Sequence, residues 1–122
     1  MFIIISKFLI PRGFRAITIF PFIVIKKDLD AKNLVLINHE KIHLQQQLEM
    51  LVFPFYFIYV LDYLLKIVRY KDKNVAYRNI IFEKEAYSNE SDINYLKKRA
   101  FWNWRKYLQG IAFKREYYYH FF

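Results

Sequence analysis

Apolar and polar residues follow two different patterns along the chain. In the first 27 residues, β-branched and aromatic residues fill two runs, at 1–5 and 16–27, with a turn sequence at residues 11–13 between them. Such runs bounded by turn residues are typical of strands, and Pro21 bends the second run or places it at the edge of a sheet. Residues 1–27 are therefore predicted to form a β-hairpin or two strands of a small sheet.

Residues 33–122 are predicted to be mainly helical, in a bundle of about four helices, because their apolar positions recur at intervals of three and four. The first helix is predicted to end near Met50 or Phe53, with Asp30 or Asn33 capping its start. The other three helices are predicted at about residues 51–65, 75–89 and 91–108. The pattern as a whole indicates an α+β fold.

Residues 51–65 are the most apolar stretch of the chain, and Asp62 is the one charged residue among them. Pro54 starts a new helix there or kinks the preceding one. The stretch has fifteen residues, which is short of the roughly twenty that span a bilayer. It therefore predicts a buried helix or one that rests on a membrane surface.

The composition is that of a folded chain with a high apolar content. Of 122 residues, 56% are hydrophobic and 21% aromatic, with only two glycines and three prolines. This content predicts an apolar surface patch for a membrane, a partner or a peptide. Cysteine is absent, which excludes disulfides and thiolate metal sites. Any metal must therefore be held by His, Asp or Glu.

The net charge of +9 is concentrated at the two ends of the chain. Residues 1–27 carry five Lys/Arg and no acid, and residues 91–122 carry seven against Asp92 and Glu116. This excess favours an anionic partner such as a membrane surface, or serves solubility alone. Nucleic acid is the least favoured partner, because it would depend on the basic and aromatic segment 97–107, whose tryptophans are assigned to the core or to an interface.

Residues 37–43 read INHEKIH and contain the pattern His-Glu-x-x-His inside the first predicted helix. Residues four apart lie on one helix face, so His39 and His43 can offer two imidazole nitrogens to one Zn²⁺. Glu40 lies one position further round, where its carboxylate can take a proton from a water activated by the metal. A solvated polar face is the alternative, but two of the three histidines in the chain flank this glutamate.

A catalytic zinc needs a third protein ligand and one open position. Glu49 lies six residues after His43, but no glycine ends the helix between them, so Glu49 points away from the histidine face. Glu83 is followed one turn later by the small Ala86, which would let its helix pack closely against the histidine helix. The candidates on later segments are Asp62, Glu83, Glu85 and His120.

The two motifs together resemble the gluzincin class of zinc metallopeptidases, in which a glutamate on a later helix is the third ligand and a small residue follows one turn on. This resemblance favours Glu83 as the ligand, with Glu85 as the runner-up. Gluzincins commonly place an acid four residues after that ligand, where this chain has Tyr87, so Glu90 becomes a candidate partner for a zinc histidine. The resemblance covers about half of the chain and implies one minimal zincin-like domain over residues 1–122.

In size the chain is similar to the minigluzincins. Its segments HEKIHLQQQ and FEKEAY resemble those of small, uncharacterised zinc-peptidase-like proteins of Bacteroidetes bacteria. The resemblance implies a zinc peptidase that acts on peptides or proteins with Glu40 as general base, and it implies no particular cleavage specificity. The candidates for the donor to the oxyanion are Tyr87, Tyr77 and His120.

A different reading of the sequence is an inactive zincin-like protein that binds a membrane surface or a partner, in which case replacing Glu40 would leave its function intact.

Lys7 interrupts the opening apolar run and no small-residue cleavage site follows, so no secretory signal is predicted. The expected location is the cytoplasm, with peripheral attachment at the inner membrane surface as a possibility. Residues 117–122 are a candidate segment for holding the site latent.

Overall fold

The structure is a computed structural model, and it describes residues 1–108. The strands are β1 (Phe2–Ile5), β2 (Ala16–Ile19) and β3 (Phe22–Ile25), and the helices are α1 (Leu34–Met50), α2 (Val52–Tyr70), α3 (Lys73–Arg78), α4 (Ile81–Asn89) and α5 (Tyr95–Lys98). Two 3-10 helices cover Asp28–Lys32 and Asn103–Arg105. The predicted α+β class is confirmed.

The three strands form one sheet in the order β1-β3-β2, with β1 parallel and β2 antiparallel to β3. The prediction of one strand over residues 16–27 is wrong, because Pro21 lies in the turn between β2 and β3 and divides the run. Proline has no N–H to give to a ladder, so a turn suits it better than a strand interior. As a result β3 is central and β2 lies at an edge. The predicted turn before β2 is confirmed, and Gly13 supplies its positive φ of 91°.

Helix α1 begins after Asn33, whose side chain accepts a hydrogen bond from the N–H of Leu36 at 3.1 Å. Asn33 is therefore the cap, and Asp30 instead pairs with Arg15. One side of α1 packs on the sheet in a cluster formed by Ile23, Ile25, Ile37 and Leu44. Its other side packs on α4 through Ile42 and Ala86. Helix α1 is thus enclosed between the sheet and α4, which buries the polar residues of its motif.

Helices α1 and α2 are separate elements that meet at an angle of 113°. Leu51 joins them with a φ of 68°, and Pro54 lies in the first turn of α2, which confirms that a new helix starts here. No single helix within residues 1–108 is long and apolar enough to cross a bilayer, although the bent pair α1 and α2 reaches that length and apolarity jointly.

The last two predicted helices differ from the structure. The one predicted over 75–89 is divided into α3 and α4, and Asp62 accepts a hydrogen bond from the N–H of Ile81 at 2.7 Å where α4 begins. The prediction of one continuous helix over 91–108 is wrong, since the described residues form α5, the 3-10 turn at Asn103–Arg105 and a short helical stretch at 106–108, separated by non-helical residues. Side chains of this segment pack back onto α4: Trp104 contacts Phe82 and Tyr95 binds Glu85. These tertiary contacts outweigh the helical preference of the segment.

Candidate metal centre

Three side chains from two helices converge where α1 meets α4. His39 and His43 lie one turn apart on α1, and Glu83 lies in the first turn of α4. Oε1 of Glu83 is 3.0 Å from Nε2 of His39 and 3.2 Å from Nε2 of His43. One ligand atom from each residue lies within 4.8 Å of the others, and all three residues are buried. The structure therefore brings together the three residues chosen from the sequence, in an arrangement that can hold one metal ion.

Each histidine is oriented by a hydrogen bond from its other ring nitrogen. Nδ1–H of His39 donates to Oε1 of Glu90 at 2.7 Å, and Nδ1–H of His43 donates to Oε1 of Gln46 at 2.8 Å. Gln46 is held in turn, because its amide donates to Glu85 and to the carbonyl of Phe82. Both Nε2 atoms are thereby aimed at Glu83. This arrangement, with Nδ1 bonded outward and Nε2 turned inward, is typical of metal-ligating histidines.

Nε2 of His43 is buried and has no hydrogen-bond partner among residues 1–108. It is 3.2 Å from the Glu83 carboxylate, close enough for an ion pair while His43 is protonated. Once His43 has lost that proton, its buried nitrogen is left without a partner, which is costly and which native proteins rarely tolerate without a reason. A metal ion between His39, His43 and Glu83 would provide the missing partner, so the residues present fit such an ion.

The charges at this site depend on one another. Burial alone would lower the pKa of His43, but the negative charge of Glu83 outweighs it and raises that pKa to about 9. Burial would likewise raise the pKa of Glu83, but the adjacent histidines hold it far below its usual range. Glu83 is therefore an ionised carboxylate, ready to act as a ligand, while His43 must lose a proton before its nitrogen can bind a cation.

A tyrosine supports the second oxygen of the glutamate. The hydroxyl of Tyr59, on α2, donates a hydrogen bond to Oε2 of Glu83. Burial and the charge of Glu83 raise the pKa of Tyr59 strongly, so the hydroxyl keeps its proton. With Oε2 held by Tyr59, Oε1 is the oxygen that faces the two histidines.

Glu40 is close to the triad but is not part of it. The hydroxyl of Thr18, on β2, donates to Oε1 of Glu40 at 2.6 Å. Glu40 lines a cleft of about 960 Å³ together with His39, His43 and Glu83. The carboxylate is thus fixed beside the candidate metal ligands by the edge strand of the sheet, as a general base requires.

The other candidate acids have structural partners. Glu85 is fully buried, accepts hydrogen bonds from Gln46 and Tyr95, and pairs with Arg99. Glu49 also pairs with Arg99, and so points away from the histidines, as predicted. Asp62 pairs with Lys66 at 2.7 Å. None of these acids joins the two histidines, and His120 and the segment 117–122 lie outside the described residues.

Two tyrosines predicted as oxyanion donors line the same cleft. The ring of Tyr87 packs edge-on against the ring of His39, with 4.5 Å between centroids, and the guanidinium of Arg78 lies 4.1 Å from the Tyr87 centroid. Burial and the nearby Glu83 charge raise the pKa of both Tyr77 and Tyr87. Both hydroxyls therefore stay protonated at neutral pH.

The sequence reasoning missed three residues that hold the site together: Thr18, Gln46 and Tyr59. Gln46 had a local signal, since it lies three residues after His43 and so shares its helix face. Thr18 and Tyr59 had none, because each reaches its partner from a different element. Their contacts span 22 and 24 residues.

The sequence matches no protein-family model, and neither the curated proteins nor the solved structures contain a match to it. The geometry of residues 1–108 and the chemistry of the donor set are what indicate a metal centre.

Proposed function

We propose that this protein is a zinc-dependent peptidase of the gluzincin type, with His39, His43 and Glu83 as the zinc ligands. The proposal is carried by one observation: the buried Nε2 atoms of His39 and His43 both face Oε1 of Glu83, close enough together for one ion to bind all three residues. Two imidazoles and one carboxylate are the His₂Glu donor set of catalytic zinc sites, which keep a fourth position open. Hard cations such as Mg²⁺ prefer all-oxygen sites, so the two nitrogens favour a transition metal such as zinc.

Zinc in this position would supply a Lewis acid and lower the pKa of a water toward neutrality. Glu40 then accepts the proton of the attacking water and passes it to the leaving amine. Thr18 keeps the Glu40 carboxylate in place through its 2.6 Å hydrogen bond. Tyr87 or Tyr77, both protonated and both in the cleft, donates to the oxygen that gains charge on the carbonyl.

A peptide substrate is supported by the strand that borders the cleft. β2 is an edge strand, and its residues 16–18 line the cleft beside Glu40. The carbonyl of Arg15 accepts from the N–H of Lys26 across the ladder, so by alternation the backbone of Ala16 and Thr18 faces the open edge. Gln47 and Tyr56 already donate to the carbonyl of Thr18, which leaves the backbone of Ala16 and the N–H of Thr18 as the groups with which an extended peptide can pair.

The experiment that tests this proposal combines metal content with peptide hydrolysis. Protein purified without added zinc and without a His tag should contain about one zinc per chain. His39→Ala and Glu83→Gln should lose it, and Glu85→Gln is the matched control that should keep it wherever the variant folds. Glu40→Gln should keep zinc and lose hydrolysis of a mixed peptide library. Zinc retained in Glu83→Gln would refute the ligand assignment.

A non-enzymatic alternative is favoured by one observation, the large exposed apolar face of α2. In that case the metal would only stabilise a module that binds a membrane or a partner. The two functions differ in their response to Glu40→Gln. This variant abolishes the activity of a peptidase and leaves a binding module unchanged.

A further inference from the structure

Helix α2 turns an uninterrupted apolar face toward solvent. The side chains of Phe53, Phe57 and Val68 are 87%, 71% and 75% exposed, which is far outside the usual environment of such residues. We define the α2 apolar face by six exposed residues that lie along one side of the helix: Phe53, Phe57, Val60, Leu61, Leu64 and Val68. Because each helical residue adds about 1.5 Å, the face is roughly 22 Å long.

The charged residues of this part of α2 point inward. Asp62 and Lys66 are buried and pair with each other at 2.7 Å. Asp62 also accepts the N–H of Ile81 at the start of α4. Every exposed residue from Phe53 to Val68 is apolar. A surface helix normally has the opposite arrangement, so α2 is built to meet an apolar environment on its outer side.

Basic residues follow directly after this face. Lys71 and Lys73 are both exposed, and Arg69 precedes them. The acid between the two lysines, Asp72, caps α3 by accepting the N–H groups of Asn74 and Val75. The whole chain carries a net charge of +9. An anionic surface complements this charge, whereas a second copy of the chain would bring the same positive charge to the contact.

We propose that the α2 apolar face docks on an anionic lipid bilayer, with the helix in the plane of the interface and its basic end against lipid phosphates. A helix in this position buries its apolar face at the boundary between headgroups and acyl chains and does not need the length of a spanning segment. Half-buried tyrosines border the face, among them Tyr56 and Tyr63. Tyrosine rings favour this boundary because they are apolar with one polar end.

Docking would also orient the cleft. Tyr56 and Tyr63 line it, and Leu64, the residue after Tyr63, belongs to the α2 apolar face. Consecutive residues are about 100° apart on a helix, so the cleft wall and the docking face are adjacent sides of α2. The cleft would then open beside the bilayer and receive peptide segments at the membrane surface. This last consequence rests on the proposed peptidase function, whereas the docking does not.

The test is flotation of the full chain with phosphatidylcholine vesicles, with and without phosphatidylserine. Phe53→Gln with Phe57→Gln removes two aromatic residues from the face. The matched control is Phe8→Gln with Leu29→Gln, because these residues are 87% and 81% exposed and lie outside α2. Lys71→Gln with Lys73→Gln tests the charge. Circular dichroism and thermal unfolding check that each variant folds.

Wild-type protein is expected to float with the phosphatidylserine vesicles. The Phe53/Phe57 variant should lose at least about tenfold in apparent affinity, and the control pair should bind as wild type. Each lysine removed should cost about fivefold at low salt. Glu40→Gln should bind as wild type, so the result is independent of peptide hydrolysis. Absence of wild-type binding, or equal loss in the control pair, would overturn the proposal. A wild-type dimer that becomes monomeric in the Phe53/Phe57 variant and does not bind vesicles would instead show that the face joins two copies.

Discussion

The Nδ1–H group of His39 donates a hydrogen bond to Oε1 of Glu90, and the two atoms are 2.7 Å apart. The neighbouring residue strengthens this link, because the amide of Asn38 donates to the backbone carbonyls of Glu90 and Asp92 at 2.8 and 2.9 Å. Two consecutive residues of α1 thus bind the end of α4. The histidine ring is fixed by a residue that is remote in sequence.

Glu90→Ala is expected to weaken metal binding by roughly 10- to 100-fold while the protein stays folded. The reason is that Glu90 orients the ring of His39 and makes Nε2 more basic, without being a ligand itself. Competition with a chromogenic chelator measures the affinity. Asp28→Ala is the control, since it removes an exposed carboxylate outside the cleft. An affinity unchanged in Glu90→Ala would contradict the assigned role.

Thr18→Val is expected to lower kcat of the proposed peptidase by roughly ten- to a hundredfold, with little change in KM and unchanged zinc content. Without its hydroxyl donor the Glu40 carboxylate can turn away from the attacking water. Thr18→Ser keeps the hydroxyl and should recover most of the activity. Steady-state kinetics with one peptide substrate separates kcat from KM. Loss of zinc in Thr18→Val would mean that the threonine supports the fold of the site instead of the general base.

Glu85→Ala is expected to destabilise the protein by about 3 kcal/mol. The reason is that Arg99 would stay buried with Glu49 as its remaining ion-pair partner. The matched control is Asp30→Asn, which breaks the exposed pair with Arg15 and should change little. Burial alone would raise the pKa of Glu85, but its hydrogen bonds to Arg99 and others hold it below the ordinary 4.5. Its stabilising contribution is therefore complete above pH 4.5 and is lost as the pH falls through the lower, folded-state pKa. Urea unfolding from pH 7 down to pH 3 should show a smaller pH slope in Glu85→Ala than in wild type.

The sequence predicted the parts of the structure that depend on local chemistry. The histidine spacing, a cap at Asp30 or Asn33 and the break near Pro54 each follow from a few adjacent residues; the structure has all three and selects Asn33 as the cap. The helix predicted over 91–108 failed for the opposite reason. Arg99 and Trp104 reach back to Glu85 and Phe82, so contacts remote in sequence decide the backbone there.

The same distinction applies within the site. Glu40 and the two histidines could be found from spacing alone, whereas Glu83 was favoured over Glu85 by the resemblance to the gluzincin pattern. Thr18 and Tyr59 could not be found, because β2 and α2 approach the triad only after the chain folds. The division of the run 16–27 by Pro21 was also open from sequence, since a proline is compatible with both an edge strand and a turn.

Metal binding at pH 7 is expected to release about one proton per chain, because the pKa of His43 is raised to about 9 in the metal-free protein. Burial opposes this rise, and the charge of Glu83 causes it. Titration calorimetry in two buffers of different ionisation enthalpy counts the protons, and the count should fall toward zero above pH 9. Since the folded pKa lies above the ordinary 6.5, the pair of His43 and Glu83 stabilises the metal-free protein fully below pH 6.5 and loses that effect as the pH rises through 9. The stability of the metal-loaded protein should not fall over this pH range, because the metal ion takes the place of the proton on His43. Zinc uptake without proton release at pH 7 would mean that His43 is neutral beside Glu83, and would remove the electrostatic argument for this ligand pair.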